Sequence, residues 1–205
     1  MFIPAYYRNT DLKEILKFIH ENSFACLVST LEGKPWATHI PLELEENSDG
    51  QHLLSGHISH ANPQWKSFSA GETVLAIFSG PHSYVSSSWY HHVNVPTWNY
   101  IAVHVYGRMR ILNEVEQYHK LKAMVDRYEI VAKNPIDMDK LPAEMMNNYM
   151  KGIVGFEMSI DKIEGKWKMS QNRNAEDKAS IIKELEQLRE VNAALVAAEM
   201  KRMKT

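Results

Sequence analysis

The chain has 205 residues, 44% hydrophobic and 23% charged, a length and balance that suit a globular domain and exclude disorder and collagen-like structure. Lysine and arginine number 23 against 25 acidic residues, so no strong net field draws nucleic acid. There is no apolar run of membrane-spanning length, the opening MFIPAYYRNT lacks a basic start followed by an apolar core, and the lone Cys26 cannot form an internal disulfide. A soluble, cytoplasmic protein without membrane contact is expected. The unusual feature is an excess of histidine, tryptophan and tyrosine, most of it in the middle of the chain.

After an aromatic entry from Phe2 to Tyr7, Thr10 or Asp11 can cap a helix; Leu12, Ile15, Leu16 and Ile19 recur at helical spacing and predict an amphipathic helix over 11–21. FACLVST from Phe24, a turn at Glu32-Gly33 and PWATHIPLELE read as a β-hairpin. Ser48-Asp49-Gly50 makes the next turn, before the strand HLLSGHIS. Asn62-Pro63 reads as an N-cap with proline at the first helical position, opening a short helix through Trp65 and Phe68. TVLAIFSG is the next strand, and YVSSSWY is expected to continue the sheet after a bend at Gly80-Pro81. HHVNVP is a loop, and TWNYIAVHVYGRMRIL is a strand pair or one bent strand. Asn113 with Glu116 forms a capping box for a helix to about Tyr128. Pro135 and Pro142 bracket a loop and a helical turn. GIVGFEMSIDKIEGKWKMS reads as two strands around Glu164-Gly165, and the glycine- and proline-free C-terminal segment as helix. Consecutive strands joined by tight turns argue for an antiparallel sheet or barrel with helices packed outside it. A doubly wound nucleotide fold would alternate strand and helix, and no such alternation occurs.

Four polar clusters stand out. GHISHANPQWK, residues 56–66, runs from a strand end into a helix N-terminus, where free N–H groups with Ser59, His60 and Asn62 suit a phosphate monoester; a well-made cap explains the same residues equally well. PHSYVSSSWYHH, residues 81–92, and VPTWNY, residues 95–100, set flat aromatic faces beside hydroxyls and imidazoles, which suits a planar ligand or a sheet core. KMSQNR, residues 168–173, offers Gln171, Asn172 and Arg173 at a strand end, to a ligand or to backbone groups there. His57-x-x-His60 and His91-His92 lack the spacing of a zinc site, and no G-x-S-x-G elbow appears, so neither a metal nor a catalytic nucleophile is expected.

Taken in order, GHISHANPQW, GPHSYVSSSWY, VPTWNYIAVHVYG and KMSQNR resemble the signature segments of the PaiB family of FMN-binding negative transcriptional regulators, over nearly the whole chain. The resemblance implies an FMN-binding split β-barrel, antiparallel and Greek-key-like, with flanking helices. It implies a flavin-binding domain over 1–173, a C-terminal helix over 174–205, and a homodimer with flavin sites between subunits. Ser59-His60 departs from a frequent alanine-arginine pair, and Ser87 stands where proline is common. On this reading Thr38, His39, His57, Ser59, His60 and Asn62 lie beside the flavin tail, Trp98 and Asn99 at the ring, and Gln171 with Arg173 at its outer edge. The implied function is repression of protease-synthesis and sporulation genes. The alternatives are a flavin-dependent oxidoreductase of the pyridoxamine-phosphate oxidase-like group and a haem-handling relative.

Residues 174–205 hold six acids and six bases, a balance that does not suit DNA tracking; Lys201, Arg202 and Lys204 complement a helix C-terminus instead. DNA as a partner is therefore supported by neither charge nor motif. Ile181, Leu185, Leu188, Asn192 and Leu195 are expected to form the seam by which this helix packs.

Overall fold

A computed structural model describes residues 1–203; Lys204 lies outside the described residues. In chain order the elements are β1 (Arg8–Asn9), α1 (Leu12–Glu21), β2 (Phe24–Leu31), β3 (Lys34–Pro41), β4 (Glu43–Glu46), β5 (His52–Ser59), β6 (Thr73–Val85), β7 (Thr97–Ile111), α2 (Glu114–Glu129), α3 (Ala143–Lys151), β8 (Ile153–Lys168), α4 (Ala175–Gln187) and α5 (Val191–Arg202). Single-turn 3-10 helices lie at Ala5–Tyr7, Ser87–Trp89 and Met138–Lys140, and a longer one at Pro63–Ala70. The strands form one sheet in the order β3-β2-β6-β7-β8-β5-β4, with β1 paired to β8.

The chain divides into two compact units, each assembled from separated stretches. One comprises 18–77 and 105–163, the other 1–17, 78–104 and 164–205, so β6, β7 and β8 each contribute to both.

The first is a barrel. Glu32 and Gly33 both take left-handed backbone, φ 51° and 74°, the geometry that matches the twist of a two-residue hairpin. They set β2 against β3 from Leu31↔Lys34 to Phe24↔Pro41. Beyond β3 the chain turns at Leu42 into β4, which pairs antiparallel with β5, and β5 pairs with β8 from Leu53↔Ser159 to Ser59↔Ile153. Contact between β3 and β5 closes the strip on itself. Alternate strand side chains, among them Leu27, Leu54, Ile58 and Phe156, fill the interior with Leu42 and Phe68 from the connections, all essentially without solvent exposure. Gly107 has a packing reason: a Cβ there would lie 1.9 Å from the Ser159 carbonyl oxygen. The expected capping box is present, with Asn113 Oδ1 accepting from the Glu116 amide and Glu116 accepting from the Asn113 amide. It starts α2, which docks through Gln117, donor to the Met150 carbonyl and acceptor from the Gly155 amide.

The second unit is built on the other ends of the long strands. Residues 153–168 form a single strand rather than two: Gly165 lies in regular pairing with Asn9 of β1, and side chains of Ile15 and Trp167 close over it. The YVSSSWY segment leaves the sheet at Val85 for a 3-10 turn capped by Ser86. The C-terminal segment is two helices, because Leu188 and Glu190 are extended. This reversal resets the helical phase. Ile181 and Leu185 are buried as expected, but Leu188, Asn192 and Leu195 are exposed, and Ala193, Val196, Ala197 and Met200 form the inner face of α5. Trp167 Nε1 donates to Glu199 at 3.0 Å, holding α5 to β8. Residues 174–203 thus belong to a unit with the N-terminus and strand ends rather than standing apart.

Candidate functional site

In the barrel unit the polar corner is organised by Gln64, a residue that motif spacing did not single out. Asn62 caps the 3-10 helix by accepting from the Gln64 amide and donates through Nδ2 to Thr38 Oγ1 at 2.9 Å. Thr38 donates in turn to Gln64 Oε1 at 2.5 Å. The Gln64 Nε2 donates at 3.1 Å to the Leu27 carbonyl and to Ser29 Oγ. Gln64 has no solvent exposure, so this closed set satisfies buried polar atoms that would otherwise be costly.

Ser59 and His60 form the exposed rim of that corner. Ser59 Oγ accepts from the Ala61 amide at 3.3 Å. The His60 backbone is tied at both polar atoms, its amide donating to the Gly152 carbonyl and its carbonyl accepting from Trp65 Nε1, while its ring tilts against Trp65 at 5.3 Å. The hydroxyl and imidazole are thereby presented outward from a rigid corner.

The structure separates two expected residues from this group. His39 is exposed on the opposite face of β3 from Thr38, stacked on Phe24, because adjacent strand residues point to opposite faces. His57 lies outside the barrel wall, in a small cavity against α2 lined also by Leu112, Gln117 and Met124. Burial holds its imidazole below the ordinary histidine range, so it is neutral at pH 7.

In the second unit Trp98 is 53% exposed, beside Tyr84 at 5.9 Å edge-on and His82 at 6.3 Å. Lys168 donates to the Trp98 carbonyl and to Thr97 Oγ1. Asn99 is fully buried; its Oδ1 accepts from Ser170 Oγ at 3.1 Å, and its amide points at Met200 Sδ. Ser170 is held at φ +58°, a conformation that non-glycine residues rarely adopt. Gln171 folds back on the strand end, accepting from the Met169 amide and donating to the Trp167 carbonyl. Asn99 and Gln171 therefore shape the Ser170 turn. Arg173 reaches outward over the Tyr90 ring at 5.1 Å. His91 and His92 flank the buried Asp177, which accepts from the His91 amide at 3.0 Å and ties the 86–96 loop to α4. Among the described residues no cluster of three or more histidine, cysteine or acidic side chains has metal-binding geometry, and no helix is long and apolar enough to cross a membrane.

An antiparallel barrel with a donor-rich corner between a strand and a helix N-terminus defines the class: a split-barrel protein. The chain belongs to the family described as "Putative FMN-binding domain", matched over residues 1–162. It is 44% identical over 197 residues to Protease synthase and sporulation protein PAI 2 of Bacillus subtilis (strain 168), covering 96% of this chain and 95% of that protein. It is also 27% identical over 233 residues to Uncharacterized protein AN0679 of Emericella nidulans, covering 92% and 91%. Among solved structures it is similar to the Flavocytochrome Anf3 from Azotobacter vinelandii, with TM-score 0.64 and 18% identity over 86% of this chain and 78% of that one. The FAD and Heme binding protein from Mycobacterium smegmatis gives 0.60 and 14% over 85% and 79%. At such identities these structures establish the fold. The PaiB-family membership and split-barrel fold expected from the motifs are confirmed.

FMN is the cofactor that membership implies, and the barrel corner fits its phosphate. Thr38, Ser59, His60 and Asn62 make no hydrogen bond to a carboxylate among the described residues, and hydroxyl, amide and imidazole groups beside a capped helix start suit an oxyanion.

Proposed function

We propose that this protein is an FMN-binding regulator of the PaiB type, a cytoplasmic homodimer that represses protease-synthesis and sporulation genes. The observation that supports it above all is the near end-to-end match at 44% identity to PAI 2. Within the barrel unit, Ser59 and His60 hold the phosphate tail and the second N–H of Asn62 completes the donor set, while Thr38, whose hydroxyl hydrogen goes to Gln64, braces the corner. FMN, when bound, supplies a reversible electron carrier to which a regulator can respond. His39 and His57 have no place in this set, given the faces they occupy. The exposed indole of Trp98 is proposed separately as a stacking face for a flat ring, with Asn99 and Gln171 as supports of the neighbouring turn.

Titration of the purified chain with FMN, followed by flavin fluorescence, tests the assignment. His60→Ala with Asn62→Ala is expected to weaken binding about tenfold or more, since a charge-assisted phosphate contact contributes ~1.5–3 kcal/mol. Unchanged affinity in a folded double variant places the phosphate elsewhere. Light scattering should return twice the chain mass, and steady NAD(P)H oxidation by the FMN-loaded protein would instead favour an oxidoreductase.

A further inference from the structure

Of the seven arginines, Arg8 and Arg189 are exposed and make no ion pair among the described residues, and the other five are treated unequally. Arg108, Arg110, Arg127 and Arg202 each meet at least one carboxylate: Asp161, Glu116 with Glu157, Glu43, and Glu14 with Glu199, respectively. Several of these side chains are more than half exposed. Arg173 is more buried than that, yet among the described residues it faces no acid; its contact is the Tyr90 ring. Among the described residues Lys166 and Lys168, on the strand leading into the same turn, likewise meet no carboxylate. Lys166 lies over Tyr100 and donates to the Phe2 carbonyl, and Lys168 donates to Thr97 and the Trp98 carbonyl. A partly desolvated cation without a counter-ion costs free energy that a paired one does not, so three within eight residues of chain make a standing positive potential. Burial, then repulsion from Lys166 and Arg173, hold the Lys168 amine below the usual lysine range.

A second observation is independent of charge. The Tyr90 hydroxyl is buried without any hydrogen-bond partner, in a residue 8% exposed. Buried hydroxyls are normally paired. The turn itself is constrained: Ser170 is left-handed, its carbonyl accepts from the Arg173 amide at 3.0 Å, and its hydroxyl is anchored on buried Asn99. Tyr7 donates to Asn172 Oδ1 at 3.1 Å, a bond that uses neither N–H of the Asn172 amide. Burial keeps the Tyr7 phenol above its ordinary range and therefore protonated for that bond.

We propose that the Ser170–Arg173 turn is a binding site for the oxyanion of a small molecule, a carboxylate or phosphate held by the Arg173 guanidinium, the Asn172 amide and the Tyr90 hydroxyl. It takes a ligand other than the FMN whose phosphate the barrel corner holds. A guanidinium with adjacent neutral donors suits a planar or tetrahedral oxyanion bidentately, and strain stored in an otherwise well-packed turn is characteristic of pre-organised ligand sites.

The test titrates the full-length protein, with and without saturating FMN, with phenyl phosphate and separately with benzoate, following thermal midpoint and tryptophan fluorescence. Saturable binding of at least one probe, retained with FMN present, is expected, and the preferred probe distinguishes phosphate from carboxylate ligands. Arg173→Met should weaken it about tenfold or more. Tyr90→Phe should weaken it about threefold to tenfold, and His60→Ala with Asn62→Ala should leave it intact. Three results overturn the proposal: no saturable binding of either probe, binding insensitive to Arg173→Met, or displacement of the probe by FMN. In the last case the turn is a flavin site, and the FMN reading survives without the second ligand. Loss of FMN binding with probe binding retained overturns the FMN reading alone.

Discussion

The two polar clusters solve opposite problems. Around Gln64 the buried polar groups meet one another within the protein: Asn62 donates to Thr38, Thr38 to Gln64, and Gln64 to Leu27 and Ser29. Around Arg173 the chain brings Lys166, Lys168 and Arg173 together with no carboxylate in ion-pair contact among the described residues, and leaves the Tyr90 hydroxyl unpaired there. A closed network holds a fold in register; an open one leaves interaction energy for something outside the chain. The difference shows that residue type alone does not mark a site. Thr38 and Asn62 look like ligand donors in sequence, yet their hydrogen bonds with Gln64 mainly brace the corner on which Ser59 and His60 are displayed.

The comparison breaks most visibly at Gln64. Gln64→Leu keeps the volume but strands the Thr38 hydroxyl and buried β2 acceptors, and should cost about 2–4 kcal/mol in urea unfolding. A loss below about 1 kcal/mol would mean that water enters the corner, contrary to a closed network. Next comes the turn. Ser170→Ala removes the bond to Asn99 and keeps the left-handed strain, so it should cost about 1–2 kcal/mol. Ser170→Gly relieves that strain and should be the milder of the two; the reverse order would show that φ +58° is not strained here.

A pH scan sharpens the contrast. The folded-state pKa of Lys168 is depressed, by burial first and its cationic neighbours second, so near pH 10 the unfolded chain binds more protons there. Stability should therefore rise with pH between the folded pKa and the ordinary lysine value of 10.5. Lys168→Met should flatten that rise relative to wild type, and an unchanged profile would remove Lys168 from the positive cluster. The smallest effect belongs to Arg173→Met without any added anion. Losing an unpaired cation should move stability by no more than about 0.5 kcal/mol in either direction, whereas a large loss would reveal a structural role for the guanidinium.

Much of the fold was legible because its signals are local. The Glu32-Gly33 turn, the Asn62-Pro63 cap, the Asn113–Glu116 box and the alternation of FACLVST each act over a few residues, and each appears where the spacing predicts. The site was only partly legible. The opposite faces of Thr38 and His39 follow from strand alternation, which neighbouring positions on a motif easily obscure. The place of His57 under α2 does not follow from any local pattern, because α2 lies more than fifty residues further along.

Sequence by itself determined the family, the antiparallel barrel class, the turns and the caps, since these rest on backbone preferences and multi-residue motifs read one segment at a time. Tertiary structure decided the rest. It made residues 153–168 one strand, because β1 pairs across Gly165 and Ile15 and Trp167 cover it. It divided the C-terminal segment at Leu188–Glu190, so that Ile181 and Leu185 of α4 and Ala193, Val196 and Ala197 of α5 are all buried. It also decided which polar groups are paired and which are not, for pairing depends on which distant carboxylates and carbonyls fold into reach, and no spacing along the chain records that distance.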